Sequence, residues 1–77
     1  MKRLKIGDRI RLMRALRRIS AMELGVSLGV SQSTISRWEL NQTVPPGCVS
    51  TMLAGALGIT VSQLRGLRPL PIGGKKI

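Results

Sequence analysis

The chain has 77 residues, of which 13 are lysine or arginine and three are acidic, so its formal net charge is +10 at pH 7. This length suits one domain with a thin core, since a chain of this size buries only about 60% of the surface that its unfolded form exposes. The single cysteine excludes an internal disulfide, and the lack of histidine excludes a Cys/His zinc cluster. Without a histidine base, paired carboxylates or a glycine-rich phosphate loop, the chain is not expected to be an enzyme or to bind a metal or other cofactor.

A basic amphipathic helix is predicted at the start of the chain, over residues 4–18. Its apolar stripe contains Ile6, Ile10 and Met13 at helical spacing. Further apolar residues widen this side: Leu12, Leu16 and Ile19. The lysines and arginines around the stripe form either a plain solvated face or a binding surface. A membrane-surface helix is disfavoured, because such helices favour tryptophan or phenylalanine on the apolar face and this one has neither.

The second predicted helix begins after Ser20 and continues to Leu28. Ser20 and Glu23 have the spacing of a capping box, in which the serine hydroxyl accepts a backbone N–H and the glutamate reaches back. Gly29 is a natural helix stop. Gly25 lies inside the helix, where glycine costs about 1 kcal/mol relative to alanine. We therefore expect another helix to pass close to its backbone.

The third predicted helix is capped by Ser31 and runs over residues 32–40. At 100° per residue its core-facing side holds Thr34, Ile35 and Trp38. The opposite side carries an amide, two hydroxyls and a guanidinium instead of the usual Glu, Lys and Ala, from Gln32, Ser33, Ser36 and Arg37. Such groups read base edges in the major groove of DNA, so we favour a recognition surface over simple solvent exposure.

The second half of the chain is predicted to hold two more helices. A loop over residues 41–47 is indicated by its prolines, and a helix over residues 48–57 follows. A second capping box at Thr60 and Gln63 starts a short helix through Leu64. The core of this half is expected from residues at helical spacing: Val49, Met52, Leu53, Ala56 and Leu57. Three methionines are expected as core fillers: Met13, Met22 and Met52.

The chain divides into a folded domain over residues 1–66 and a terminal segment over residues 67–77. The segment LRPLPIGGKKI combines spaced prolines with a Gly-Gly pair, which predicts an extended arm and a flexible basic tail. No apolar run approaches the ~20 residues that a membrane span needs, and the amino terminus lacks a signal-peptide core. We expect a soluble chain that does not bind membranes, whose charge points to nucleic acid as its partner.

The chain resembles the lambda-repressor-like family, which includes phage repressors and Cro proteins. The resemblance lies in IGDRIRLMR, ISAMELGVSLGVSQSTISRWE, the proline after the loop, and LAGALGITVSQL, and covers residues 6–64. It implies an all-α, compact five-helix DNA-binding domain that contains a helix-turn-helix, with the third helix in the major groove.

The resemblance also implies roles for individual residues. Leu24, Gly25, Leu28, Val30 and Ile35 match the core of the helix-turn-helix. Arg14 and Glu39 match an ion pair between the first helix and the end of the third, for which we favour a structural role. Base reading is implied for Gln32 and Ser33, with Ser36 and Arg37 alongside. Contacts with the DNA backbone are expected from Ser31, Arg11, Arg17, Arg18, Asn41 and Thr43.

Four positions depart from the family pattern. Ala21 replaces the glutamine that usually contacts a phosphate at the start of the second helix, so arginines are expected to supply this contact. Arg18 stands where a turn glycine is common. Asn41 occupies another common glycine position, which asparagine can fill because it tolerates a left-handed conformation. Trp38 is bulkier than the usual aliphatic residue, and its indole N–H requires a partner.

These features predict a sequence-specific regulator of transcription, either Cro-like or a short repressor of a phage or mobile element, in the bacterial cytoplasm or nucleoid. It is expected to be a monomer or weak dimer when free and a homodimer on a palindromic operator in double-stranded DNA. The apolar residues available for a dimer contact lie late in the chain, and their alternative is to fold back on the core: Val61, Leu64, Leu67, Leu70 and Ile72.

Two other functions remain open from the sequence. The first is the DNA-binding antitoxin of a toxin–antitoxin pair, for which only the segment after residue 66 could hold a protein partner. A small toxin encoded by the neighbouring reading frame would favour it. The second is a basic peptide that binds RNA or membranes, which the complete helix-turn-helix pattern disfavours.

Overall fold

The computed structural model describes residues 4–71, which form five helices and no strand. These are α1 (Ile6–Leu16), α2 (Ala21–Leu28), α3 (Gln32–Glu39), α4 (Gly47–Leu57) and α5 (Val61–Leu64). The predicted all-α, five-helix architecture is confirmed. The first helix is two residues shorter at each end than predicted, and α4 begins one residue earlier. The basic tail from residue 72 onward lies outside the described residues.

Local hydrogen bonds define where the helices begin. Both predicted capping boxes are present, at Ser20 with Glu23 and at Thr60 with Gln63. The hydroxyl of Ser31 accepts the backbone N–H of Thr34 at 3.2 Å and so caps α3. Each cap satisfies a backbone donor that has no partner within the helix.

Left-handed residues follow α1, α2, α3 and α4, either directly or one residue later. Gly29 and Gly58 each have φ of 73° directly after α2 and α4. Arg18 (φ 58°) and Asn41 (φ 61°) adopt the same conformation after α1 and α3, although both carry side chains. These are the two positions where the family pattern commonly has glycine.

The core lies between all five helices. It is formed by buried residues from each of them and from the turn after α4: Ile10, Met13, Leu24, Leu28, Ile35, Trp38, Leu53, Ala54, Leu57, Ile59 and Leu64. Val49 and Ala56 are partly buried and pack against this cluster, as the spacing in α4 predicts. Trp38 is a core residue, as expected, but its indole N–H has no hydrogen-bond partner within residues 4–71.

Two of the three methionines predicted for the core are instead on the surface. Met13 is buried, but Met22 is 61% exposed and Met52 is 53% exposed. Met22 lies about 200° around α2 from Leu24, and Met52 lies about 100° around α4 from Leu53. In these directions both side chains are left largely open to solvent. Leu16 is also exposed, because it lies in the last turn of α1, beyond the part of that helix that is buried.

Gly25 has the close neighbour that its position predicted, but the neighbour is not a helix. A Cβ atom there would lie 2.7 Å from the carbonyl oxygen of Val30, in the turn that leads into α3. The carbonyl of Gly25 also accepts the backbone N–H of Val30 at 2.9 Å. The turn therefore packs directly on the backbone of α2, and any larger residue at position 25 would push it away.

Two arginines of α1, and Arg17 directly after it, connect that helix to the carboxyl-terminal ends of three others. Arg14 pairs with Glu39 at the end of α3. Arg17 donates through Nε to the carbonyl oxygen of Leu57, the last residue of α4, at 3.1 Å. Arg9 donates through Nη1 to the carbonyl oxygen of Gln63 in α5, also at 3.1 Å. Helix carboxyl ends carry unpaired carbonyls and partial negative charge, which cations stabilise.

The described part of the predicted arm lies against the body of the protein. The backbone N–H of Leu67 donates to the carbonyl of Ser62 at 2.8 Å, and the side-chain amide of Gln63 donates to the carbonyl of Pro69 at 3.1 Å. Leu70 is partly buried against the core. No helix within residues 4–71 has the length and apolar character to cross a membrane.

Candidate nucleic-acid interface

The helix pair α2 and α3 is joined by a three-residue turn, Gly29, Val30 and Ser31. Gly29 reverses the chain through its left-handed conformation, and Val30 packs partly buried against the core. Buried side chains at Leu24, Leu28 and Ile35 hold the two helices together. Because the turn also rests on Gly25, α3 is held against α2 in one fixed geometry.

One face of α3 is open to solvent. Ile35 is fully buried and Trp38 is 3% exposed, so these residues turn the other side of the helix outward. The outward side carries the four residues predicted to read bases, all of them exposed: Gln32, Ser33, Ser36 and Arg37. This face contains a planar amide, two small hydroxyls and one guanidinium, and no carboxylate.

An ion pair holds the end of α3 against α1. Arg14 donates to Glu39 through Nε at 2.6 Å and Nη2 at 3.0 Å, and through Nη1 to the carbonyl of Ile19 at 2.9 Å. The hydrogen bonds to Glu39 raise the pKa of Arg14, against the opposing effect of burial. The pair therefore has the geometry of the structural role expected for it, and it also fixes the turn before α2.

Arg11 lies beside the exposed face of α3. It lines a surface groove between α1 and α3 together with Arg14, Ser36, Glu39 and Leu40. Arg11 itself is exposed and makes no hydrogen bond to another part of the chain within residues 4–71. The fold thus adds a guanidinium to the polar surface of α3.

The other residues predicted to contact the DNA backbone have different surroundings. Arg18 and Thr43 are exposed, and Ser31 is exposed while it caps α3. Arg17 and Asn41 instead bond to other parts of the protein, Arg17 to the carbonyl of Leu57 and Asn41 to Gly7 and Asp8. For all of these residues, contact with phosphate stays a prediction.

Sequence reasoning missed the internal contacts of Arg9, Arg17 and Asn41. The partners of these side chains lie 54, 40 and 34 residues away in the chain. No local pattern marks such pairs. The sequence offered a signal only at Asn41, a side chain at a position where glycine is common. Within residues 4–71 there is also no group of three potential metal-ligating residues.

Comparisons with known proteins agree with this geometry. Residues 5–67 match the family model of the helix-turn-helix domain. No curated protein matches the chain.

Two solved structures of the P22 c2 repressor are similar to the chain. One is its crystal structure in complex with synthetic operator 9T in the presence of Tl⁺, with 36% identity and a TM-score of 0.76, covering 79% of this chain and 92% of that chain. The other is the solution structure of its DNA-binding domain (1–76), with 35% identity and a TM-score of 0.80, covering 86% and 87%. The chain is therefore a member of the helix-turn-helix family, with the fold of a lambda-repressor-like DNA-binding domain.

Proposed function

We propose that the chain is a sequence-specific regulator of transcription that binds double-stranded DNA and reads the major groove with α3. The observation that carries this proposal is the exposed face of α3, which has four polar side chains, no acid, and Arg11 beside it. In a chain with a net charge of +10, such a face is suited to a polyanion whose base edges offer donors and acceptors.

The four residues of this face have distinct capacities. The amide of Gln32 can bind the N6 and N7 atoms of adenine in a bidentate manner. The hydroxyls of Ser33 and Ser36 are short, so they let the helix backbone approach the bases closely. Arg37 can bind the O6 and N7 atoms of guanine or a phosphate. Base discrimination comes from these contacts, whereas phosphate contacts supply position and most of the affinity.

Phosphate contacts are assigned to exposed residues around α3. Arg11 and Arg18 supply positive charge, and Ser31 and Thr43 supply hydroxyl groups. The similarity to a repressor solved with its synthetic operator supports this assignment at the level of the fold.

A homodimer on a palindromic operator is part of the proposal. Successive half-sites on one face of B-DNA lie about 34–36 Å apart. Residues 4–71 span 37 × 22 × 20 Å and contain one recognition helix, so this part of one copy presents α3 to one half-site only. Two copies related by a two-fold axis would read both. Because the lambda-repressor-like family that the chain resembles includes phage repressors, an origin in a phage or mobile element is part of the proposal.

Selection of bound sequences from a random duplex pool tests the proposal. The full chain should enrich one sequence with two inverted half-sites, and the variant Gln32→Ala should lose part of that preference. Recovery of an unenriched pool at every salt concentration would contradict sequence-specific binding. Recovery of an enriched but asymmetric site would retain specific binding and contradict the dimer.

A further inference from the structure

Asn41 joins the end of the recognition helix to the start of α1. Its Oδ1 accepts the backbone N–H of Gly7 at 2.9 Å, and its Nδ2 donates to Oδ1 of Asp8 at 3.4 Å. The second carboxylate oxygen of Asp8 accepts the backbone N–H of Lys5 at 3.0 Å. Both ends of the Asn41 amide are therefore engaged by the first turn of α1.

The contact between these two elements is close. A Cβ atom on Gly7 would overlap the carbonyl oxygen of Trp38, in the last turn of α3, and would lie 2.6 Å from Oδ1 of Asn41. The backbone N–H of Asn41 also donates to that Trp38 carbonyl at 3.0 Å. The first turn of α1 can therefore lie this close to the end of α3 only because residue 7 is glycine. The side chain that bonds to Gly7 at this contact is Asn41.

Two polar attachments then fix α3 on α1. One is the ion pair between Arg14 and Glu39, and the other is the bond from Gly7 to Asn41. Gly7 and Arg14 are seven residues apart, which is about 10 Å along α1. Both attachments lie at the carboxyl end of α3, and together with the buried side chains of Ile35 and Trp38 they restrict small changes in the direction of the helix. The direction of α3 decides whether Gln32, at its far end, meets a base edge.

We propose that Asn41 is a positioning residue for base recognition, which acts through the bond to Gly7 and not by contact with a phosphate. This inference rests on the proposed function. The left-handed conformation of residue 41, with φ of 61°, admits glycine and asparagine readily. Glycine would meet the backbone requirement alone, and only asparagine adds a neutral amide that bonds both the N–H of Gly7 and the carboxylate of Asp8.

The variant Asn41→Gly isolates the side chain, because it keeps the backbone conformation and removes both hydrogen bonds. Gln42→Gly is the matched control: it places a glycine next to Asn41 and removes an exposed side chain that makes no hydrogen bond within residues 4–71. Binding to the selected operator and to an unrelated duplex is measured well below the melting temperature. Hydrogen exchange of the Gly7 amide reports whether its hydrogen bond to Oδ1 of Asn41 is present.

We expect Asn41→Gly to lose about tenfold in operator affinity, as for one or two hydrogen bonds, with little change on the unrelated duplex. The Gly7 amide should exchange faster, and Gln42→Gly should keep the wild-type ratio of the two affinities. Equal losses on both duplexes would identify a direct phosphate contact and overturn the proposal. A lower melting temperature with both affinities unchanged would reduce Asn41 to a residue of the fold and would also overturn it.

Asn41→Asp provides a second test in case the glycine variant folds poorly. Its carboxylate keeps an acceptor for the N–H of Gly7, although it faces the carboxylate of Asp8. The added negative charge weakens binding to both duplexes. The informative quantity is therefore the operator affinity divided by the affinity for the unrelated duplex. This ratio should lie above that of Asn41→Gly, and a ratio equal to or below it would contradict the proposal. If the wild-type protein bound the operator and the unrelated duplex with equal affinity, the proposed function itself would be refuted before any variant is compared.

Discussion

Each of the three acidic side chains is hydrogen-bonded within the fold. Asp8 accepts from the backbone of Lys5 and from Asn41, Glu23 accepts the backbone N–H of Ser20 at 2.9 Å, and Glu39 pairs with Arg14. The carboxylates therefore stabilise helix ends and one helix contact. None lies on the exposed face of α3, where it would repel phosphate.

Glu23 should make the stability of the protein depend on pH. The hydrogen bond from the backbone N–H of Ser20 lowers the pKa of Glu23. A lowered pKa in the folded state means that the stabilisation is present above the ordinary glutamate pKa, about 4.3, and is lost as the pH falls through the lower folded value. Glu23→Gln keeps an acceptor at this position but cannot titrate. Its melting temperature should vary less with pH over the acidic range than that of the wild type, and parallel curves would contradict this assignment.

The pair of Arg14 and Glu39 should contribute to stability. The two side chains are 21% and 11% exposed, so Glu39→Ala leaves a partly sheltered guanidinium without its partner. We expect a loss of about 1–3 kcal/mol, between the values for exposed and buried pairs. Thermal unfolding measures it, with Arg65→Ala as the control for an exposed arginine. A melting temperature for Glu39→Ala equal to that of the wild type would remove the structural role.

At the scale of the element, the arginines of α1 and of the turn that follows it divide between two tasks. Arg9, Arg14 and Arg17 bind the carboxyl ends of other helices. Arg11 and Arg18 are exposed and make no such bond within residues 4–71. Much of the positive charge in this basic segment therefore lies on side chains that bind other helices and stabilise the domain.

Arg18→Gly and Arg17→Gln should have opposite effects on stability. Arg18 has φ of 58°, so glycine should relieve strain and raise stability by about 1 kcal/mol, while it removes a charge near DNA. The slope of log K against log salt should become shallower by about 0.9 for each bound chain, the value for one phosphate contact. An unchanged salt slope for Arg18→Gly would show that Arg18 does not contact phosphate.

Arg17→Gln loses the hydrogen bond to the carbonyl of Leu57, so its melting temperature should lie below that of the wild type.

The exposed face of α3 should determine sequence preference. Gln32→Ala and Ser33→Ala are each expected to weaken operator binding by about 1–3 kcal/mol, because each removes a contact with a base edge. Binding to unrelated duplex should remain nearly intact. Titration of both duplexes measures the difference. Equal weakening on operator and unrelated duplex would mean that these residues position the helix and do not read bases.

At the scale of the whole molecule, the end of the chain both completes the core and leaves an apolar side chain exposed. Leu64 is fully buried, and Val61 and Leu70 pack against the core, so these residues fold back as the alternative to a dimer contact. Leu67 is 76% exposed. Ile72, the last residue suggested for the contact, lies outside the described residues.

The free protein should be a monomer or a weak dimer, and two copies should bind one palindromic duplex. Self-repulsion at a net charge of +10 opposes association in solution, and DNA neutralises it. Sedimentation of the saturated complex measures the ratio, and one chain per duplex would contradict the dimer. Leu67→Ser should weaken the cooperative binding of the second copy to the duplex. Val26→Ser serves as its control, because Val26 lies on α2 and is 77% exposed. Equal cooperativity in both variants would exclude Leu67 from the contact.

Much of the fold and of the candidate site could be predicted from the sequence, because helix capping and helical periodicity depend on residues that are close together in the chain. The capping residues Ser20, Ser31 and Thr60 bond to backbone groups three residues away, so their effect is readable in the chain. The outward side of α3 follows from helical periodicity alone. The surface positions of Met22 and Met52 could not be predicted, since an apolar side chain is buried only where another element covers it.

The sequence by itself determined the five helices, the turn between α2 and α3, and the polar face of α3, because capping and periodicity act over a few residues. Only the tertiary structure decided that Arg9 and Arg17 bind the ends of other helices and that Asn41 bonds to Gly7. Those bonds join residues 34 to 54 positions apart and depend on how the helices pack. A guanidinium or an amide carries no mark of its partner until folding brings a carbonyl, a carboxylate or an N–H within reach.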